Sequence, residues 1–355
     1  MKNPELSAVW QGRGVARNPG AEYWVGMSER LQVGLIGAGH FGRYHALKLA
    51  AAKRAKLVGL ADANPERAKT VAWEAGCPVR GIDEILALAQ AVIIAAPAEF
   101  HYELTARALQ AGKHVLVEKP IAATLDQATA LAAMARVAGK VLQVGHLERF
   151  SAAHGAVAQR MGQPLYIEAV RIAPFKPRGT DVSVILDLMI HDLDLILALT
   201  DSEVVSVDAV GAPVASIHDD IANARIRFSS GAVATITASR ISLKTERKMR
   251  IFSQTGYLTV DFSARKLTLV GRGIGVKLPG LEEFGVEQAG WQDHDALAAE
   301  HEAFFSAILD GAPVAVDAEA GKRALAAALM VSASIAQSRA VAEASGLIPA
   351  LQAGL

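Results

Sequence analysis

Leu31-Gln32-Val33-Gly34-Leu35-Ile36-Gly37-Ala38-Gly39-His40-Phe41-Gly42 is the stretch whose reading decides the fold. It is a short apolar strand running into a glycine turn, with a helical pattern over 41–52 behind it. Gly37, Gly39 and Gly42 fit G-x-G-x-x-G. The first glycine allows the tight turn, the second lets backbone approach a pyrophosphate, and the third lets helix pack close to strand. The helix N-terminus, with His40 and Phe41 in its first turn, offers unpaired N–H groups and a positive dipole end to phosphates. A second apolar run over 57–61 ends in Asp62, twenty positions after Gly42. An acid at that spacing accepts hydrogen bonds from adenosine ribose hydroxyls. Its charge repels a 2′-phosphate, and the nearest arginine is Arg67, so NAD is favoured over NADP. A tight turn beside a solvated Asp would account for the glycines alone. Strand, turn, helix, second strand and acid in register favour a dinucleotide site.

Outward from this turn, apolar runs alternate with helical patterns as far as residue 150. Strands are predicted over 31–36, 56–61, 91–95, 114–117 and 141–144, and helices over 41–52, 65–75, 83–88, 100–110 and 124–138. Continuous apolar strands such as Ala91-Val92-Ile93-Ile94-Ala95 are those of a parallel sheet buried on both faces. The expectation is an α/β, doubly wound Rossmann sheet over 31–150. From 165 the period changes to strands of five to nine residues separated by turns such as Ser229-Ser230-Gly231. That predicts an open, mainly antiparallel sheet in an α+β domain over 151–292. Helices over 294–309 and 318–337, in a last region of 293–340, are expected to pack back on the first domain. Residues 1–30 show no steady period and read as a leader or arm, with Met27 a natural start and Trp10 and Trp24 the only large anchors.

The 355 residues are 52% apolar and 20% charged with zero formal net charge, which gives no basic excess to hold nucleic acid or an anionic membrane. One cysteine, Cys77, excludes an intramolecular disulfide and fits a reducing, cytoplasmic setting. The uncharged run over 324–338 is shorter than the ~20 residues of a membrane span. No cluster of metal-ligating residues stands out, so no metal is expected.

Two segments fall at the carboxyl ends of predicted strands, where ligands sit in such sheets. One holds Ala96, Pro97 and His101; the other is Glu118-Lys119-Pro120. An ammonium at Lys119 can polarise or protonate an oxygen at a hydride-transfer carbon; a surface lysine in a loop is the plainer alternative. The nearly continuous apolar helix over 181–195 carries Asp187, His191 and Asp194 at i, i+4 and i+7. On one face, Asp187 would fix the tautomer of His191 and make it an oriented general base; a structural Asp–His pair, or an Asp cap, is the plainer alternative.

Taken together, the glycine turn, Asp62, the Glu118-Lys119-Pro120 triplet and the Asp187…His191 helix before a large sheet resemble the Gfo/Idh/MocA oxidoreductase family over residues 31–340. The resemblance implies that Lys119 and His191 flank the substrate carbon, with Asp187 in support, and that Ala96, Pro97, His101 and Glu118 lie along the nicotinamide. It implies an NAD-dependent oxidation of a secondary sugar hydroxyl and a homo-oligomer, dimer or tetramer, formed through the open sheet. The segments over 143–150, 184–194 and 238–242 resemble more closely a branch acting at C3 of UDP-N-acetylglucosamine to give the 3-keto sugar for lipid A synthesis. A diphosphate would then need cations, for which Arg149, Arg171, Lys176, Arg178 and Arg240 are candidates. Each of them also reads as a solvated strand face. Oxidation of a free sugar or an inositol needs no such cations, and a nucleotide-sensing protein without turnover needs neither Lys119 nor His191.

Overall fold

The apolar runs of the first half form five parallel strands. These are β1 (Leu31–Ile36), β2 (Ala55–Ala61), β3 (Ala91–Ile94), β4 (His114–Glu118) and β5 (Leu142–Gly145), in the order β2-β1-β3-β4-β5. The structure is a computed structural model that describes residues 30–348 except 159, 161, 177–181, 292 and 293. The leader or arm expected before residue 30, with Trp10 and Trp24, lies outside the described residues. The connecting helices are α1 (His40–Ala51), α2 (Pro65–Ala75), α3 (Ile82–Leu88), α4 (His101–Gln110) and α5 (Leu125–Ala138). All four β3 residues are fully buried, which is why the strand reads as an unbroken apolar run. The chain reverses direction across the sheet between β1 and β3. The crevice at that switch point, beyond the strand ends, is where such sheets take ligands.

The second sheet has nine strands. After α6 (Ala152–Ala158) and β6 (Pro164–Ile172), a π-turn (Ile185–Met189) leads directly into α7 (Ile190–Thr200). Then come β7 (Val204–Ala212), β8 (Ile221–Phe228), β9 (Val233–Ser239), β10 (Glu246–Ser253), β11 (Gly256–Asp261), β12 (Lys266–Arg272), β13 (Val276–Leu278) and β14 (Leu281–Gly290). Their order is β13-β14-β12-β11-β10-β6-β9-β8-β7, antiparallel except for β6 beside β9. β8 alternates exposed and buried at every position, turning Ala222, Ala224, Ile226 and Phe228 inward. Buried Ile226, Ile236 and Ile251 pack in one cluster with α7 and the last helix, each contributing roughly 1.5–3 kcal/mol of apolar burial. The strands β13 and β14 were not predicted. Leu281–Gly290 carries three acids and two glycines without alternation, and it is held by backbone pairing to β12.

α8 (Ala296–Leu309) and α9 (Ala318–Ala344) return to the first sheet, α9 running past its predicted end. Val144 donates its N–H to the Val316 carbonyl, and the Gln143 side-chain amide donates to that of Glu300. Leu325 joins the core beneath the parallel sheet, while Ala324, Ala328, Val331 and Ile335 join that of the second. α9 is long and apolar enough to cross a membrane, but these residues of it lie in the protein core.

Candidate active site

The glycine turn closes as its residue types require. Gly37 has φ of +99°, and a Cβ there would lie 2.5 Å from the Ala95 backbone. A Cβ on Gly42 would come within 2.1 Å of the Gly37 carbonyl oxygen. At Gly39, by contrast, nothing among the described residues stands within 4 Å of a Cβ, so the open side of the turn leaves room for close approach of a phosphate. No side chain caps α1 and no acid lies in its first turn. His40 and Phe41 are exposed there. The residues fit a dinucleotide. Asp62 accepts from the N–H groups of Ala38 (2.6 Å) and Asn64 (2.7 Å). Arg67 lies over the same carboxylate, Nη2 at 2.6 Å and Nε at 3.1 Å. Burial pushes Asp62 upward, but Arg67 and the two N–H groups outweigh it and hold the carboxyl below its usual range. The acid expected to stand alone thus carries a cation of its own.

Beyond β3, Ala96 is half-buried and Pro97 exposed at the crevice. His101, expected along the nicotinamide, is buried instead. Its Nδ1 lies 2.7 Å from the Pro120 carbonyl and its Nε2 2.8 Å from that of Ala96, so the ring ties the two strand-end loops together. Glu118 is also turned from its expected place: its Oε1 accepts from His45 Nε2 on α1 at 2.9 Å. Lys119 does project into the cleft. Its ammonium donates to the carbonyls of Asp187 (2.9 Å) and Leu186 (3.4 Å) and lies 3.9 Å from the Asp187 carboxylate. Burial lowers the Lys119 pKa, with Asp187 and Glu118 opposing that shift.

These contacts correct the expected Asp187–His191 pair. Ile185–Met189 is a π-turn, closed i→i+5 rather than i→i+4, so four residues no longer make one turn. Asp187 meets Lys119, and His191 Nδ1 is buried without a hydrogen-bond partner among the described residues. The tautomer of His191 is therefore not set by Asp187. Burial and then the positive charge of Lys119 hold the imidazole well below its usual pKa, so it is neutral at neutral pH. Asp194 lies 3.5 Å from Arg149 and 4.0 Å from His146.

Nor do the proposed diphosphate cations form a group. Arg171 is buried and bidentate to Asp192, both bonds 2.8 Å, with Glu148 at 3.0 Å on its third nitrogen. Burial works against its charge, but these two carboxylates hold its pKa above the usual value. Arg240 is buried on Asp220 (2.7 Å) and the Val182 carbonyl (2.8 Å). Lys176 is exposed, and Arg178 lies outside the described residues. The sequence reading missed Arg247, which stands opposite Arg171 in the β6–β10 register, shares Glu148 with it and is half-exposed. It also missed His146, buried with both ring nitrogens unpartnered and near enough to influence His191. Neither residue sits in a periodic pattern; only their places after β5 and across from β6 bring them here.

With this geometry, residues 31–146 match the family model described as "Oxidoreductase family, NAD-binding Rossmann fold", and residues 136–259 match the GFO/IDH/MocA C-terminal domain. The molecule is an oxidoreductase of the nicotinamide-dependent class. It belongs to the Gfo/Idh/MocA family. A UDP-N-acetylglucosamine 3-dehydrogenase from Acidithiobacillus ferrooxidans is 43% identical, over 86% of this chain and 97% of its own length. A crystal structure of that enzyme superposes with a TM-score of 0.82. An inositol 2-dehydrogenase from Rhizobium meliloti is more distant, 30% identical over 88% of this chain and 98% of its own. The scyllo-inositol dehydrogenase of Lactobacillus casei, solved with NAD(H) and scyllo-inositol, shares the fold. Its TM-score is 0.73 at 23% identity, covering 87% of this chain and 98% of that one.

Proposed function

We propose that the protein oxidises C3 of UDP-N-acetylglucosamine to the 3-keto sugar with NAD as acceptor, as a step toward a 3-amino sugar of lipid A. The observation that supports the chemistry is that the Lys119 ammonium bonds the Asp187 carbonyl, four residues before His191, and is near enough for its charge to help keep that imidazole neutral. The nucleotide sugar rests on the relative at 43% identity. Gly37, Gly39 and Gly42 with the start of α1 would hold the pyrophosphate, Asp62 the adenosine ribose, and Ala96 and Pro97 the nicotinamide side. NAD, when bound, supplies the hydride acceptor. His191 takes the hydroxyl proton, because its neutral form is the one present at working pH. Lys119 offers its N–H bonds to the same oxygen as charge grows on it, and Asp187 keeps the ammonium charged and aimed.

We also infer a cytoplasmic homo-oligomer in which the outer face of the nine-stranded sheet is covered by a second copy. That face carries the ring cluster Tyr166–Phe252–Tyr257 among polar neighbours. Residues 31–150 act as the cofactor part, 151–292 as the substrate part and 293–340 as helices closing on the first.

The ketone is unfavourable to accumulate, so the test couples NADH formation to an aminotransferase that consumes it. The expected result is NADH from UDP-N-acetylglucosamine and little from free N-acetylglucosamine or myo-inositol. NADH from the free sugar or the inositol alone would replace this reading with that of a free-polyol dehydrogenase.

A further inference from the structure

Behind Lys119 lies a buried column of titratable groups that hydride transfer does not use. His45 on α1 sits between Glu118 at the end of β4 and His301 on α8: Nε2 is 2.9 Å from Glu118 Oε1 and Nδ1 is 2.8 Å from His301 Nε2. The two imidazoles stack with centroids 5.1 Å apart. Glu300, next in the chain to His301, is 0% exposed, and neither of its carboxyl oxygens has a hydrogen-bond partner among the described residues. Ligand atoms of His45, Glu118 and Glu300 lie within 4.8 Å of one another.

The hydrogen positions follow from what each group can donate. Glu118 ionised can only accept, so His45 donates to it from Nε2. His45 Nδ1 faces His301 Nε2, with one proton between the two rings. The histidine pair thus serves one carboxylate, and among the described residues no cation is hydrogen-bonded to the other, Glu300. The charged or titratable groups facing Glu118 are His45, His101, His146, Lys119 and Glu300; Lys48 faces His301 but is paired with Asp295. Two buried carboxylates this close do not both ionise without a counter-ion.

We propose that Glu300 is a neutral carboxylic acid which, with the His301–His45 column, holds Glu118 as a fixed carboxylate behind Lys119, making Glu118 a positioning residue that keeps the Lys119 ammonium charged. The geometry supports it: Glu118 touches Lys119 only through the backbone N–H, at 3.3 Å, so its charge acts on the ammonium without tying it up. The functional half of this rests on Lys119 acting at the reacting oxygen; the protonation of Glu300 does not.

The experiment has two arms. Infrared spectra of the whole protein at neutral pH should show a protonated-carboxyl C=O band that disappears in Glu300→Gln, with the melting temperature retained. In Glu118→Gln, the basic limb of the kcat–pH profile, on whichever alcohol is oxidised, should move down by about one pH unit. Absence of the band, or a divalent metal at one equivalent per chain that is lost in Glu300→Gln, would overturn the assignment and make the cluster a metal site. An unmoved basic limb with the band intact would remove Glu118 from the positioning role and leave Glu300 as a neutral acid. Failure of UDP-N-acetylglucosamine as substrate touches neither readout.

Discussion

The cofactor turn and the substrate cleft of this molecule are built in opposite ways. Around Gly37–Gly39–Gly42 the backbone sets the site: a turn, a helix start and one acid bonded to backbone N–H groups, with glycines whose missing Cβ atoms leave the space. Around Lys119 and His191 the site is set by buried charged side chains and the partners that hold them. Lys119 is held by the π-turn, Arg171 by Asp192 and Glu148, and Glu118 by α1 and, as proposed, α8. A site set by backbone depends little on the side chains around it. A site made of buried charges fails when any partner is lost, because the remaining charge has no water to turn to.

Arg171 gives the largest contrast. If it held substrate, Arg171→Met would raise KM and leave stability alone. Buried between Asp192 and Glu148, it should instead cost about 3–5 kcal/mol on removal. Urea titration of the variant decides between these, and an unchanged midpoint with a raised KM would return Arg171 to the substrate site.

Lys119→Met and His191→Asn should each lower kcat by ~100-fold or more while cofactor affinity stays near normal, as for loss of an acid–base group. Fluorescence titration with NADH separates the two effects. Near-normal turnover in either variant removes that residue from the chemistry.

Acid should act on the fold through its buried histidines before it reaches Asp62. Folded His146, His191 and His301 are neutral because burial, named first among the causes, lowers their pKa from 6.5. The unfolded chain therefore binds more protons below about pH 6.5, so stability rises with pH there and is lost as pH falls. Each histidine contributes up to about 1.4 kcal/mol per pH unit in that window. Asp62, lowered from 3.8, acts only at lower pH. The melting temperature should hold from pH 8 to about 6.5 and fall from there to pH 5; a flat profile would mean that the three imidazoles are solvated or paired.

Asp187→Asn sharpens the corrected pairing. Losing the carboxylate beside Lys119 should lower the ammonium's pKa and draw the basic limb of the kcat profile down by about one pH unit. Movement of the acidic limb instead would mean that Asp187 serves His191 after all.

The smallest effect is expected at Asp62. NAD should bind more tightly than NADP, and Asp62→Ala should narrow the gap. Because Arg67 covers the carboxylate, Arg67→Ala should widen it by exposing the charge. Calorimetric titration with both dinucleotides measures each change, and tighter NADP binding by the parent protein would reverse the reading.

Contiguous pattern was enough for the parallel sheet, the glycine turn, the placing of Asp62 and most strands of the second sheet. Period and turn chemistry act over a few residues, and the apolar runs that mark β1 to β5 are the runs the core buries. The β13–β14 hairpin was invisible because backbone pairing, not side-chain alternation, holds Leu281–Gly290. Lys119 was legible because it follows a strand end where ligands bind, and His191 because a histidine and acids interrupt a nearly continuous apolar helix. Their partners were not. Spacing of i, i+4 implies a shared face only on a regular helix, and the π-turn at Ile185–Met189 breaks that rule with no residue type that announces it. Likewise a charged residue on a strand reads as solvated until the packing is known. Arg171 and Arg240 are interior because Asp192, Glu148 and Asp220 reach them from 20 or more positions away, and only the tertiary fold brings those carboxylates within hydrogen-bond distance.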